Sequence, residues 1–315
     1  MMELTVLAVA LAALGACCYA GAARLQHTAV RATGDGEALK LASLLGLLRD
    51  RRWLLGMGLL VGGTVLHAVA VAIGPLIVVQ PVGVLALVLA AVLDARQTGE
   101  SLTAQRIAPV LTATLGMGLF VAFAAGNTSG ALAPLTAVTD ALLITLGLLA
   151  VFGLVGALSG GGLRCLALGV AGGVAYGLIS VLIRLVAQRF QSGGDIDPLA
   201  PAGIVVALVV GGWCVQQAYA SGPSHMVVAC LTVIDPLVAV GMGVGLLGEA
   251  AGTSPAVAVA ELACAAVALA GVALIALHGN KNSSSSTGRT VGPAENERVL
   301  AAAHATSPLT DRTGS

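Results

Sequence analysis

Long runs of apolar residues, separated by short polar segments, fill the chain from residue 4 to residue 277. About 20 mostly apolar residues cross the hydrocarbon core of a bilayer as a helix. Because that core holds no water, the backbone of each run must satisfy its own hydrogen bonds, which helices do. The pattern predicts an all-α integral membrane protein with nine transmembrane helices, over residues 4–23, 53–72, 75–93, 107–125, 134–158, 163–187, 199–220, 225–247 and 255–277.

Two parts of this pattern resemble each other. Residues 61–100 and residues 210–249 both begin Val-Gly-Gly, pass a Gly-Pro pair between two apolar runs and end on a glutamate. A weak repeat of hydrophobic helices is typical of transporters that are built from two inverted halves. We therefore predict two repeat halves, over residues 4–125 and 163–277, with the helix at 134–158 linking them.

The basic residues predict the orientation of the chain. Lys and Arg accumulate in the cytoplasmic loops of membrane proteins, and all but two of the 15 basic residues here fall on one predicted side, the exceptions being Arg184 and Arg189. This distribution predicts that the N-terminus lies outside and the C-terminus lies in the cytoplasm. We expect the protein to be in the plasma membrane. Corresponding helices of the two repeats are five spans apart. Because this number is odd, the two halves are predicted to run in opposite directions, which gives an inverted-topology repeat.

The domain organisation follows from where the apolar runs end. Residues 1–278 are predicted to form one polytopic transmembrane domain. Residues 279–315 contain four consecutive serines and few large apolar side chains, a composition that cannot bury enough apolar surface to fold. We expect a disordered cytoplasmic tail there.

Composition supports the membrane assignment and removes several other function classes. Hydrophobic residues make up 57% of the chain and charged residues 10%, whereas soluble domains carry about 25% charged residues. The formal net charge is zero, so nothing indicates a nucleic-acid partner. The six cysteines form no C-x-x-C pair and no Cys/His cluster, and no cofactor is predicted. The motifs of ATP-driven motors and of common hydrolases are absent from the sequence, so we do not predict an enzyme.

Asp235 is the first candidate for a transport pathway, because a charged side chain at membrane depth is costly unless it serves a function or has a partner. It lies near the centre of the helix at 225–247 and precedes Pro236, which leaves a backbone carbonyl without its helical donor. A carboxylate at such a helix break can bind a cation or take up a proton. The alternative is a structural aspartate that pairs with a neighbouring Arg, Gln or backbone group.

A polar stripe follows one face of the helix at 163–187. Tyr176, Ser180, Arg184 and Gln188 stand four residues apart, a spacing that places them on the same side of a helix. The stripe predicts a cavity wall, with Arg184 available to an anionic group or to a carboxylate. Arg184 can equally extend to water from near the end of its helix.

The remaining pathway candidates are Gln80, His67, Gln217 and Glu261. His67 can titrate near neutral pH, which would suit proton coupling, and Glu261 can pair with Arg184 or face the membrane surface. The amide and imidazole side chains can equally serve as hydrogen bonds between helices. Whether any of these residues binds a metal ion is left open.

Small residues predict close helix packing. Glycines four residues apart occur at 58 and 62, at 169, 173 and 177, and at 241 and 245. In a chain with 42 glycines several such pairs arise by chance. A homodimer is left open by this pattern.

Residues 80–85 read Gln-Pro-Val-Gly-Val-Leu, residues 90–93 read Ala-Ala-Val-Leu, and Glu100 follows. This segment resembles the P-L-G-A-L-S…A-I-L…N-E segment of NIPA-type magnesium transporters, which belong to the drug/metabolite transporter (DMT) superfamily. Asp235-Pro236 followed by Glu249 is similar to the P…E pattern of EamA-type members of that superfamily. The resemblance implies two helical bundles around a central cavity, alternating access without covalent chemistry, and magnesium as a substrate.

The predicted function is therefore a multi-pass transporter that moves a small solute across the lipid bilayer, with a divalent cation such as magnesium as the first substrate. Export of a small organic metabolite or drug, and flipping of a lipid-linked carrier, are the alternatives within transport. A membrane scaffold or accessory protein is the alternative of another class. A scaffold would pair its polar residues internally and leave no cavity.

Overall fold

The computed structural model describes residues 2–34, 36, 38–73, 76–99, 103–124, 136–247 and 254–287, apart from some side chains within the helices. Across these residues the chain forms ten α-helices. They are α1 (Met2–Ala32), α2 (Leu41–Leu47), α3 (Arg51–Ile73), α4 (Leu76–Thr98), α5 (Ala104–Ala124), α6 (Ala137–Leu158), α7 (Gly161–Gln191), α8 (Leu199–Ser221), α9 (Ser224–Leu247) and α10 (Pro255–Thr287).

Eight of these helices are long and apolar enough to cross a membrane among the residues that the structure describes. They are α1, α3 and α5 to α10. This confirms the prediction of an all-helical, multi-pass membrane protein. Helix α4 occupies the place of the remaining predicted span, but several of its side chains lie outside the described part of the chain. Its crossing, and hence the number nine, stays a prediction.

Several features of the helices differ from the prediction. Helix α1 continues to Ala32 instead of ending at residue 23, and α10 continues to Thr287, past the predicted start of the tail at residue 279. The short helix α2 was not predicted at all. The last turns of α1 contain polar residues that resemble a solvated loop in sequence. They stay helical because two of them bond to α8: Gln26 accepts from Gln216, and Arg31 donates to the carbonyl of Ala220.

The long helices pack as two similar groups. In the first half, α1 packs against α3 and α4; in the second half, α7 packs against α8 and α9. Helix α5 packs against α10 and α4 against α9, which joins the halves, while α6 packs mainly against α7. The sequence repeat pairs α3 with α8 and α4 with α9. These pairs have corresponding neighbours, because α3 and α4 both contact α1 while α8 and α9 both contact α7.

The start of α3 lies beside the end of its repeat partner, α8. Trp53, at the start of α3, donates a hydrogen bond to Gln216, near the end of α8. Arg31, at the end of α1, contacts Ala220 of α8 at the same place. We call this part of the molecule, where α8 ends and α9 begins around Gly222, the Gly222 end.

Helices α7 and α9 approach closely because glycines of α7 face α9. A Cβ atom at Gly173 would lie 2.7 Å from the Cβ of Ile234, and one at Gly177 would lie 2.7 Å from the Cβ of Val238. Real Cβ atoms do not come this close, so any side chain would push the helices apart. The predicted small-residue contact is therefore present on α7.

The other predicted glycine pairs make no such contact. A Cβ at Gly58, Gly62, Gly241 or Gly245 would meet nothing within 4 Å among the described residues. A second close crossing, which was not predicted, joins α5 to α10. There a Cβ at Gly116 would lie 2.5 Å from the backbone nitrogen of Ala268.

Replacing Gly177 by alanine should destabilise the bundle, because the new methyl group would meet Val238 and the carbonyl oxygen of Asp235 at 2.9 Å or less. Overpacking of this kind costs about 1–3 kcal/mol. Thermal unfolding of the purified protein in detergent should show a lower midpoint for Gly177→Ala. The matched control is Gly62→Ala, which has room for its methyl group and should keep the wild-type midpoint or exceed it. Equal midpoints for the two variants would contradict the contact.

Candidate functional site

A cavity of about 1640 Å³ lies between the two halves of the bundle. Small-molecule sites usually enclose about 300–1,000 Å³, so this cavity is large. Its wall is formed by α1 to α3, by Ala86 of α4, by α5 and by α7 to α10, and most of the side chains in it are apolar. The cavity therefore offers an apolar surface with a few polar groups at defined places.

Six of the eight pathway residues predicted from the sequence line this cavity. They are His67 on α3, Tyr176, Ser180 and Arg184 on α7, Asp235 on α9 and Glu261 on α10. These residues are far apart in sequence, and the structure brings them into one wall. The side chain of Gln80, in α4, lies outside the described residues. Gln217 does not line the cavity.

Asp235 is positioned by α7. Ser180 Oγ lies 3.2 Å from Asp235 Oδ1 and 3.3 Å from the carbonyl oxygen of Tyr176, so its single proton can serve one acceptor at a time. On the same helix, Gly177 allows the backbone carbonyl of Asp235 to approach closely. The carboxylate thus has a neutral partner that can exchange for another group.

Pro236 interrupts α9 beside this carboxylate. A proline has no N–H, so the carbonyl of Thr232, four residues earlier in the helix, cannot receive the usual donor from it. Thr232, Asp235 and Pro236 all line the cavity. The wall at this point therefore contains a carboxylate next to a backbone carbonyl with acceptor capacity.

The charges in the described wall are few. They are the carboxylates of Asp235 and Glu261 and the guanidinium of Arg184, which is one turn beyond Ser180 on α7. Among the described residues, no group of three or more His, Cys, Asp or Glu side chains is arranged to hold a metal ion. The wall is suited to one or two charged contacts within an apolar enclosure.

A chain of buried amides at the Gly222 end of the cavity was not predicted. Gln216 Nε2 donates to Gln26 Oε1 at 3.0 Å, and Trp53 Nε1 donates to Gln216 Oε1 at 3.2 Å. These bonds connect α1, α3 and α8. Gln26 was missed because it lies beyond the apolar run of the first span. Its helical spacing from Tyr19 and Ala22, which also line the cavity, is the signal that could have revealed it.

Gln217 has a different position from the one predicted. It is buried, accepts a bond from the N–H of Leu39 at 3.0 Å and donates to the carbonyl of Leu39 at 2.9 Å. The backbone N–H and C=O of Leu39 thus both have partners, and the segment before α2 is fixed to α8. Because Leu44 and Leu45 of α2 line the cavity, Gln217 holds in place an element that bounds the cavity.

No family model matches the chain, and no solved structure matches it. A protein of Corynebacterium glutamicum, which carries the name of an uncharacterized protein, is 26% identical over 251 residues. The matched segment covers 79% of this chain and 87% of that relative. The relative thus has a similar extent, and its name assigns no substrate.

The structure predicts a stabilising role for Gln217. Gln217→Leu keeps the approximate volume but leaves the buried N–H and C=O of Leu39 without their partner, at about 1–3 kcal/mol for each buried group left unsatisfied. We expect a lower thermal unfolding midpoint in detergent. Gln191→Leu, at the exposed end of α7, is the control and should leave the midpoint unchanged. A Gln217→Leu protein as stable as the wild type would rule out this role.

Proposed function

We propose that the protein is a multi-pass membrane transporter of the DMT type that moves a small organic solute through the central cavity by alternating access. The observation that carries this proposal is a cavity of about 1640 Å³, walled by both halves of a bundle of apolar helices, with Asp235 in its wall. A membrane scaffold has no need of such a space. The cavity therefore favours transport over the scaffold hypothesis.

The arrangement of the halves supports alternating access. Corresponding helices have corresponding neighbours, and α3 begins at the Gly222 end, where α8 finishes. Two halves of opposite direction can exchange conformations, so that a site between them opens first to one side and then to the other. On this account the protein lies in the plasma membrane with the N-terminus outside and the Gly222 end towards the cytoplasm.

The composition of the wall favours an organic solute over a divalent cation. Mg²⁺ keeps several waters and binds through oxygen ligands with near-octahedral geometry. The described wall instead presents mostly apolar side chains, with carboxylates only at Asp235 and Glu261. An apolar wall suits a solute with an apolar body, and a carboxylate suits a cationic group on that body.

Asp235 is the residue that would bind the solute. Ser180 partners the carboxylate through a neutral hydrogen bond. A cationic group of the solute would replace this neutral partner by an ion pair, which is stronger in an environment of low dielectric constant. Arg184, further along the same helix, would oppose a second cation in the cavity.

Uptake by purified protein in lipid vesicles tests this function. The probes are a monovalent organic cation with an apolar body, such as tetraphenylphosphonium, and Mg²⁺. We expect uptake of the organic cation and a reduction of about tenfold or more in Asp235→Asn, since a charge-assisted contact contributes about 1.5–3 kcal/mol. Asp140→Asn in the first turn of α6, outside the cavity, should transport like the wild type.

The other outcomes separate the hypotheses. Uptake of Mg²⁺ without the organic cation would contradict the organic solute and support the cation predicted from the sequence resemblance. Uptake that is equal in Asp235→Asn and the wild type would remove Asp235 from the site. Folded protein that moves neither probe would contradict this class of solute.

A further inference from the structure

A second polar cluster lies at the Gly222 end, outside the wall of the cavity. Asp94, near the end of α4, forms a hydrogen bond through Oδ2 with Nδ1 of His225, at the start of α9. Ser224 Oγ lies 3.4 Å from the other carboxylate oxygen. The Asp94 side chain is 11% exposed and that of His225 is 26% exposed, so the pair is largely enclosed.

A second histidine lies beside this pair. His27 of α1 packs edge to face against Tyr219, with ring centroids 6.0 Å apart, and is within electrostatic range of Asp94 and His225. Both of its ring nitrogens are buried, and the backbone of Gly222 lies near enough to interact with the ring.

The cluster connects the two halves of the protein. Asp94 and His27 belong to the first half, whereas Ser224 and His225 belong to the second. Alternating access requires the halves to move against each other, so opening at the Gly222 end must separate these partners. The strength of the Asp94–His225 bond therefore contributes to the energy of that movement.

We propose that Asp94 and His225, with His27 beside them, form a proton-binding site whose occupancy controls the opening of the cavity at the Gly222 end. This inference rests on the alternating access proposed above, and it adds a site and a ligand, one proton, that are separate from Asp235. Histidine exchanges a proton near neutral pH, which makes the cluster responsive under physiological conditions.

The two states differ in one proton. When His225 carries the proton, it forms an ion pair with Asp94 that holds α4 to α9. When the proton leaves to water, a neutral imidazole remains, and a charge-assisted bond becomes a weaker one. The Gly222 end then opens more readily.

Other groups face the cluster from the helices packed around it. Among the described residues they include Arg31 from α1, Tyr219 from α8 and Ser224 from α9. Arg31 donates to the carbonyl of Ala220 at 2.7 Å and is close enough to His27 to repel a second positive charge.

Fluorescence of Trp53 tests this inference without relying on transport. The chain has two tryptophans, and Trp213→Phe leaves Trp53, which bonds to Gln216 at the Gly222 end, as the single reporter. In lipid nanodiscs, we expect its emission to shift to longer wavelength as the pH rises from about 5 to about 9, a range that brackets ordinary histidine titration. The shift arises because proton loss lets water reach the Gly222 end.

The decisive variant is His225→Gln in the same background, since glutamine can still donate to Asp94 but does not titrate. We expect the pH-dependent shift to disappear in His225→Gln. Asp94→Asn should remove the shift as well, and it provides the test if His225→Gln does not fold. His67→Gln, whose imidazole lines the cavity instead, should keep the shift.

The results separate this inference from the proposed function. A shift that persists in folded His225→Gln, that is absent from the wild type, or that disappears in His67→Gln overturns the proton site even if transport is observed. A shift that depends on His225 and Asp94 supports the proton site even if neither vesicle probe is transported.

Discussion

The close contact between α7 and α9 determines the arrangement of the site. Gly173 and Gly177 leave no room for a Cβ atom against Ile234 and Val238, so these two helices pack backbone to backbone. The contact occurs one turn from Ser180 and places its hydroxyl beside Asp235. Without it, the carboxylate at the Pro236 break would have no partner from the neighbouring helix.

The rest of the bundle follows from how polar groups are satisfied in an apolar surrounding. Midway along the cavity, Asp235 has the hydroxyl of Ser180 as a neutral partner, which a solute would replace under the proposed function. At the Gly222 end, polar side chains bond directly across helices: Gln216 to Gln26 and Trp53, Gln217 to Leu39, and Asp94 to His225. These bonds hold neighbouring parts of the bundle together, whereas the proposed solute site has only one neutral partner for its carboxylate.

Much of this arrangement could be predicted from the sequence, because helical periodicity and membrane length are strong local signals. The stripe of Tyr176, Ser180 and Arg184 and the position of Asp235 before a proline both led to the wall of the cavity. The elements that were missed depend on distant contacts. Gln26 resembles a loop residue in sequence, and only its bond to Gln216 identifies it as buried.

Residues that are adjacent in sequence can also have different surroundings, which composition does not reveal. Gln216 lines the cavity while Gln217, one residue further along α8, faces away from it and binds Leu39. A rotation of about 100° per residue decides between these roles, and an apolar helix gives little indication of which side faces the cavity. The cluster of Asp94, His225 and His27 was missed for a related reason, since its members lie on three helices.

Access to the cavity from both sides of the membrane is the central claim, and cysteine labelling measures it directly. Thr232 lines the cavity one turn before Asp235. In a background whose six native cysteines are replaced by alanine, Thr232→Cys would be exposed to a membrane-impermeant maleimide from either face of sealed vesicles. Alternating access predicts labelling from both faces. Labelling from one face only, or from neither, in folded protein would contradict it.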